Sequence, residues 1–196
     1  MRLRPDGAKG LLVSSLASFS DYQRERAWTW EHQALVRARG VAGDASLLAA
    51  FEQLRGDILL RARDGDKLRD DVLSMRKRMR AELDRSDAAR FDLKQGEGGL
   101  VDLEFLLQWL VLDQAARHPA LAVPRDTPGL LRAACDARLF DAGDCTALAE
   151  AHAALLDAGL RCTLDRRARI TAETDAIEAA RAAIRTAAQG KSLAFD

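Results

Sequence analysis

Gly96-Glu97-Gly98-Gly99, followed by Asp102 and Glu104, is the densest run of residues able to do chemistry in this chain. A glycine-rich turn running into a helix can present backbone N–H groups to a phosphate. The run is not a Walker loop and lacks GxGxxG spacing. A second reading is a tight turn that lets the following helix approach its neighbours closely. Asp102 and Glu104 fall in the first helical turn, where the macrodipole favours carboxylates. Two positions apart, they face nearly opposite sides of the helix. If that helix is buried all round, at least one carboxylate must find a partner or point into a cleft. Glu104 and Gln108, four apart, could pair. Lys94, just before the glycines, is placed either to reach a phosphate or to close a salt bridge.

Arg2 and Arg4 alternate with Leu3, so on a strand both guanidinium groups share a face. Two fixed cations suit a polyanion such as a nucleoside triphosphate, and Asp6, Glu25 or Glu31 are alternative partners. His32, His118 and His152 have no second His or Cys at ligand spacing. They read as a helix-face residue, a helix C-terminal dipole partner and a core-edge residue. No Ser-His-Asp or Cys-His arrangement is suggested. Cys135, Cys145 and Cys162 form no CxxC pair. Three scattered thiols imply small buried side chains, a reducing cytoplasm and no zinc site.

The elements that hold these residues read as mostly helical. Residues 1–15 carry strand-like alternation around a Pro5-Asp6-Gly7 turn. Ser14 or Ser15 then caps a helix to about Arg26. A second helix holds Trp28, Glu31, Gln33, Leu35 and Arg37, and Gly40 and Gly43 end it. Asp44 caps a third, and Asp64-Gly65 breaks it. The helix over 67–85 turns Leu68, Val72, Met75 and Met79 inward. Its Arg69, Arg76, Lys77, Arg78 and Arg80 read as a mostly outward, solvated face balanced by nearby acids, with phosphate binding as the alternative. Phe91–Lys94 is extended. The helix from Leu100 to about Ala116 is apolar nearly all round and should be the centre of a bundle. Three more are expected at about 129–138, 144–164 and 171–188, the last two capped by Asp144 and by Thr171, with Thr174 competing. The final GKSLAFD is expected to fray.

The 196 residues are 48% apolar, with 30 Lys+Arg against 30 Asp+Glu. Zero net charge argues against bulk nucleic-acid binding, which displaces counterions with an excess of cations. The most apolar run, Leu100–Leu112, is interrupted and well short of the about 18 residues that cross a bilayer. Neither nucleic acid nor membrane is an expected partner.

Three segments together are more specific: RLRPDGAKGLLVSSLASFSDYQRERAWTWEHQALVRAR, FDLKQGEGGLVDLEFLLQWLVL, and the helical portion that follows. From Met1 to about residue 165 they resemble glutamine synthetase adenylyltransferase, and AWTWEHQALVRAR resembles its C-terminal, adenylylating half. The resemblance implies a mainly α fold: a helical bundle following a short β-hairpin remnant of a polymerase-β-type nucleotidyltransferase domain. Its divisions would be 1–43 for the remnant, 44–189 for the bundle and 190–196 for the tail. It implies Mg²⁺ and ATP as cofactors of a complete parent, with metal carboxylates upstream of Met1, so that the chain itself is an inactive fragment binding neither. Two metal ions about 3.5–4 Å apart need clustered carboxylates, and the strand-like part carries none. By motif match, Arg2, Arg4 and Lys94 would approach the nucleotide phosphates. Glu31, Gln33, Arg37, Arg39, Gly98, Gly99, Asp102 and Glu104 would support the site. Implied partners are ATP, glutamine synthetase and a PII-type signalling protein. Leu156, Leu160 and Arg161 depart from the family pattern, as does TPGLLRAAC. The alternative is a non-catalytic helical module that docks glutamine synthetase or a PII-type protein.

Overall fold

The computed structural model describes residue 10 and residues 13–195. The expected hairpin, with Arg2 and Arg4, lies outside them. Among the described residues the fold is mainly α, with eight α-helices. They are α1 (Leu16–Glu25), α2 (Thr29–Arg37), α3 (Ala45–Leu59), α4 (Gly65–Leu83), α5 (Leu100–Gln114), α6 (Thr127–Asp136), α7 (Ala142–Leu164) and α8 (Asp175–Gln189). Two three-residue strands, β1 (Arg90–Asp92) and β2 (Ile170–Ala172), pair antiparallel with Phe91 opposite Thr171.

Most helices begin at a side-chain oxygen that accepts an otherwise orphaned backbone N–H. Ser15 accepts from Ser18, Asp44 from Ser46 and Leu47, and Asp64 from Asp66 and Lys67. Two caps differ from the sequence reading. Asp141, not Asp144, caps α7, and Thr174 rather than Thr171 caps α8, because Thr171 is held in the β2 ladder.

Helix α5 is the centre. It packs against α2, α4, α6, α7 and α8 and is buried from Val101 to Leu112 except at Glu104. Leu35 and Val36 of α2 join the same apolar cluster as α5, so the first described helices share the bundle's core.

Buried arginines tie helix ends together. Arg55, 3% exposed, donates to the carbonyls of Leu35 (2.8 Å), Val36 (2.6 Å) and Ala122 (2.7 Å), closing the end of α2 against the 3₁₀ turn Pro119–Ala122. Arg63 donates to Ile58, Leu59 and Leu112, joining the ends of α3 and α5. Burial lowers both guanidinium pKa values to about 10, which leaves them charged at neutral pH.

Three expectations are corrected. Arg76 and Arg80 do not belong to the solvated face of α4: Arg76 is 1% exposed, in register with Leu68 and Val72, and both meet Asp102. Cys135 and Cys145 are joined in a disulfide, because a left-handed Arg138 (φ 56°) folds α7 back on α6 and brings their Cα atoms to 6.1 Å. Only Cys162 stays a buried free thiol. The tail expected to fray buries Leu193 and Phe195, the latter edge-on to Phe105 at 6.4 Å, while Arg80 donates to the Phe195 carbonyl. No helix among the described residues is long and apolar enough to cross a membrane.

Replacing Phe195 by Ala should therefore cost about 3 kcal/mol of stability, in the range of buried aromatic truncations. Urea unfolding of the two proteins checks this, and a frayed tail would give no loss.

Candidate functional site: a cationic cleft beside the central helix

The glycine loop is shaped by its neighbours. Gly98 adopts φ +78°, and a Cβ there would lie 2.7 Å from the Arg181 carbonyl oxygen, so only glycine fits. The Gly98 N–H donates to Asp102 Oδ2 at 2.7 Å, and Arg181 donates to the Glu97 carbonyl at 3.0 Å. Gly99 is the N-cap of α5, and a Cβ on it would press on the Gly96 carbonyl at 2.8 Å. The loop's N–H groups are drawn into this packing, which favours the tight-turn reading.

Asp102 is the buried anchor of the loop. Arg76 Nε lies 2.5 Å from one oxygen and Arg80 Nη2 2.8 Å from the other. Arg76 also donates to the Gln95 carbonyl at 2.6 Å. Burial raises the Asp102 carboxyl above its ordinary value, and the two guanidinium groups with the Gly98 N–H offset only part of that rise. Three donors converging on two oxygens is the environment of an ionised carboxylate.

Glu104 faces the other way, into an open cleft. It pairs with Arg37 at 2.9 Å rather than with Gln108, which instead accepts from Gln33 at 3.3 Å. The cleft, about 460 Å³, is lined by Arg37, Lys94, Glu104, Thr127, His152 and Arg169 among others. Arg37 reaches it from the end of α2, Lys94 from the loop after β1, Glu104 from α5, His152 from α7, and Arg169 from just before β2. Lys94 is exposed and has no ion pair among the described residues. Its backbone N–H is fixed by Asp92 Oδ1 at 2.9 Å, so β1 sets where the lysine emerges.

The other sequence candidates lie elsewhere. Glu31, 1% exposed, accepts from the Tyr22 hydroxyl and the Trp28 N–H and braces α1 against α2. Gln33 is buried against α5. Arg39 is exposed beyond α2 and does not line the cleft. Arg2 and Arg4 are outside the described residues. His152 and Arg169 line the cleft without any sequence signal for it, because nothing in their local spacing shows that α7 and the β2 approach face Glu104. Among the described residues no three His, Cys, Asp or Glu groups come together to hold a metal. They do not fit a magnesium site; in the cleft Lys94 and Arg169 have no ion pair among the described residues, Arg37 is paired with Glu104, and Asp126 adds a second carboxylate to the wall.

The fold is a helical bundle whose open cleft gathers Arg37, Lys94 and Arg169 around Glu104. Residues 1–54 match the family model for glutamate-ammonia ligase adenylyltransferase, and residues 66–174 match that for GlnD PII-uridylyltransferase. The whole chain is 65% identical over 195 residues to the bifunctional glutamine synthetase adenylyltransferase/adenylyl-removing enzyme of Stenotrophomonas maltophilia (strain R551-3) and 60% identical to that of Xanthomonas axonopodis pv. citri (strain 306). The same enzyme of Nitrosococcus oceani is 51% identical over 163 residues, 83% of this chain and 17% of its own length. The chain belongs to the glutamine synthetase adenylyltransferase family. It spans 21% of the length of the Stenotrophomonas and Xanthomonas relatives.

Burial holds the His152 imidazole below its ordinary 6.5, with Glu104 opposing and Arg37 reinforcing the shift. The fold thus favours neutral His152: the stability this gives is present above pH 6.5 and is lost as pH falls through the lower folded value. An NMR titration should place the His152 midpoint below 6.5, and Glu104→Gln should move it lower still. A midpoint at or above 6.5 would contradict this placement.

Proposed function

We propose that the protein to which this chain belongs transfers AMP from ATP to a tyrosine of glutamine synthetase, removes it again in its bifunctional form, and so regulates nitrogen assimilation in the cytoplasm. The observation that carries this reading is 65% identity, over the full chain, to an enzyme with that name. In this reading the chain supplies the helical wall of the nucleotide site. Lys94, Arg37 and Arg169 neutralise the triphosphate, and His152 and Glu104 set the charge balance of the same cleft. Charge-assisted contacts of this kind are the strong ones in phosphate recognition. The carboxylates that would hold magnesium in a complete parent are proposed to lie outside this chain. The chain alone is therefore proposed to be inactive.

A second reading is favoured by the uridylyltransferase match over residues 66–174. Here the bundle is a docking module for glutamine synthetase or a PII-type protein, and the cleft plays no part in chemistry.

Lys94→Ala in a complete parent enzyme separates the two. The site reading predicts that the KM for ATP rises about tenfold or more, the worth of one charge-assisted hydrogen bond, with glutamine synthetase binding unchanged. Unaltered ATP kinetics would favour the docking reading. The purified chain, given Mg-ATP and glutamine synthetase, should transfer no labelled AMP, and robust transfer would refute its inactivity.

A further inference from the structure

The Cys135–Cys145 disulfide clips the turn between α6 and α7. That turn is also held without it. The Arg138 N–H donates to the Cys135 carbonyl at 2.8 Å, and the Leu139 N–H donates to the Ala134 carbonyl at 3.0 Å. Asp141 Oδ1 accepts from the Asp144 N–H at 2.8 Å, and Phe140 is buried in the turn. These bonds keep the two cysteines neighbours whether or not their sulfurs are joined. Both are half-buried and line an open recess of about 680 Å³ together with Asp136, Arg138 and Asp141. A small molecule can reach them there, whereas Cys162 is buried. The cleft lies toward the other end of the same helix pair. Asp126 and Thr127 enter it from the start of α6 and His152 from α7. Thr127 and His152 stand about 12 Å and about 11 Å along their helices from the clipped cysteines.

We propose that Cys135–Cys145 is a thiol–disulfide exchange site, a reversible clip that a small monothiol opens and whose state is felt in the cleft. The inference rests on the cytoplasmic setting proposed above, where a disulfide is characteristically transient rather than structural. The loop it closes is short, with a sequence separation of 10, the case in which a cross-link restrains the unfolded chain least. Cys145 sits in the first turn of α7 and Cys135 in the last turn of α6. Asp136 and Asp141 line the recess that holds both sulfurs, so the helix ends decide between them, and a helix N-terminus favours a departing thiolate. The incoming thiolate therefore attacks Cys135 Sγ. The S–S bond breaks, its electron pair leaves on Cys145 Sγ, and that sulfur takes up a proton. A second small thiol attacks the mixed disulfide and releases the Cys135 thiol. In sum, two small thiols and the protein disulfide give two protein thiols and one small-molecule disulfide, and that disulfide is the oxidant of the reverse reaction. Once the clip is open, α7 can shift against α6, and the cleft walls that the two helices supply shift with them.

The test places the folded full chain in reduced and then oxidised glutathione, with free thiols trapped by iodoacetamide and located by mass spectrometry. Reduced glutathione should open Cys135 and Cys145 to alkylation together, leave Cys162 unlabelled and leave the circular dichroism unchanged. Oxidised glutathione should then restore the bond. A bond that opens only when urea unfolds the chain, opening that itself unfolds the chain, or thiols that do not rejoin would each overturn the proposal. The cleft supplies the second readout. The NMR midpoint of His152 should lie nearer its ordinary 6.5 in the reduced chain than in the oxidised one, as the loosened α7 gains water. The Cys135→Ser, Cys145→Ser double variant should show the reduced midpoint under both conditions. One midpoint for both redox states would overturn the clip's link to the cleft. AMP transfer by a complete parent whose disulfide resists glutathione keeps the adenylyltransferase reading and sinks this proposal alone, whereas reversible exchange in a parent that transfers no AMP sinks that reading alone.

Discussion

The contact between Asp102 and the Arg76 and Arg80 guanidinium groups decides the form of the central region. It joins four parts of the chain that the apolar core also brings close: the middle of α4, the first turn of α5, the glycine loop and the C-terminal tail. Arg76 reaches both the carboxylate and the Gln95 carbonyl, Arg80 reaches the carboxylate and the Phe195 carbonyl, and Gly98 donates its N–H to the same carboxylate. Taking these charges out of water costs several kcal/mol per ion, which a single pairing does not offset. The extra bonds to backbone groups offset the rest and make the arrangement specific. A loop of four residues with three glycines would otherwise have many conformations. Anchored at Asp102, it has one.

That anchoring explains how a buried helix can serve an exposed cleft. Asp102 and Glu104 leave the first turn of α5 in opposite directions. With Asp102 fixed inward, Glu104 is directed outward to Arg37, and the extended segment before the loop delivers Lys94 to the same side. Arg55 closes the carbonyl end of α2 in the same manner, so that Arg37 leaves the helix at a defined place. The arginines in the interior act as fixed links between helix ends, and those in the cleft remain partly free. The zero net charge of the chain conceals this division.

Much of the fold was readable because its signals are local. Ser15, one of two serines the sequence offers, and Asp44 cap the helices that follow them, Asp64-Gly65 separates α3 from α4, and the nearly all-round apolar character of Leu100–Leu112 marks the bundle's centre. The opposed directions of Asp102 and Glu104 were legible too, since helical geometry alone requires them. Which carboxylate was buried was not, because Arg76 and Arg80 lie on a helix whose other basic residues are solvated. The partner that draws these two inward is about 25 residues away in sequence, beyond any local pattern. The same limit hid Cys135–Cys145, which depends on the left-handed turn at Arg138, and β2, three residues whose pairing partner is β1. His152 and Arg169 acquire meaning only from the tertiary approach of α7 to α5.

The most direct test of this account is a double-mutant cycle across the buried pair, using Arg76→Met, Asp102→Leu and the combined variant, read by urea unfolding. Each single change strands a buried polar or charged partner and should cost about 3–5 kcal/mol. The double variant should recover much of that loss, giving a coupling energy of at least about 2 kcal/mol. Additive effects, with each single variant losing under about 1 kcal/mol, would contradict the claim that this contact organises the loop and the cleft.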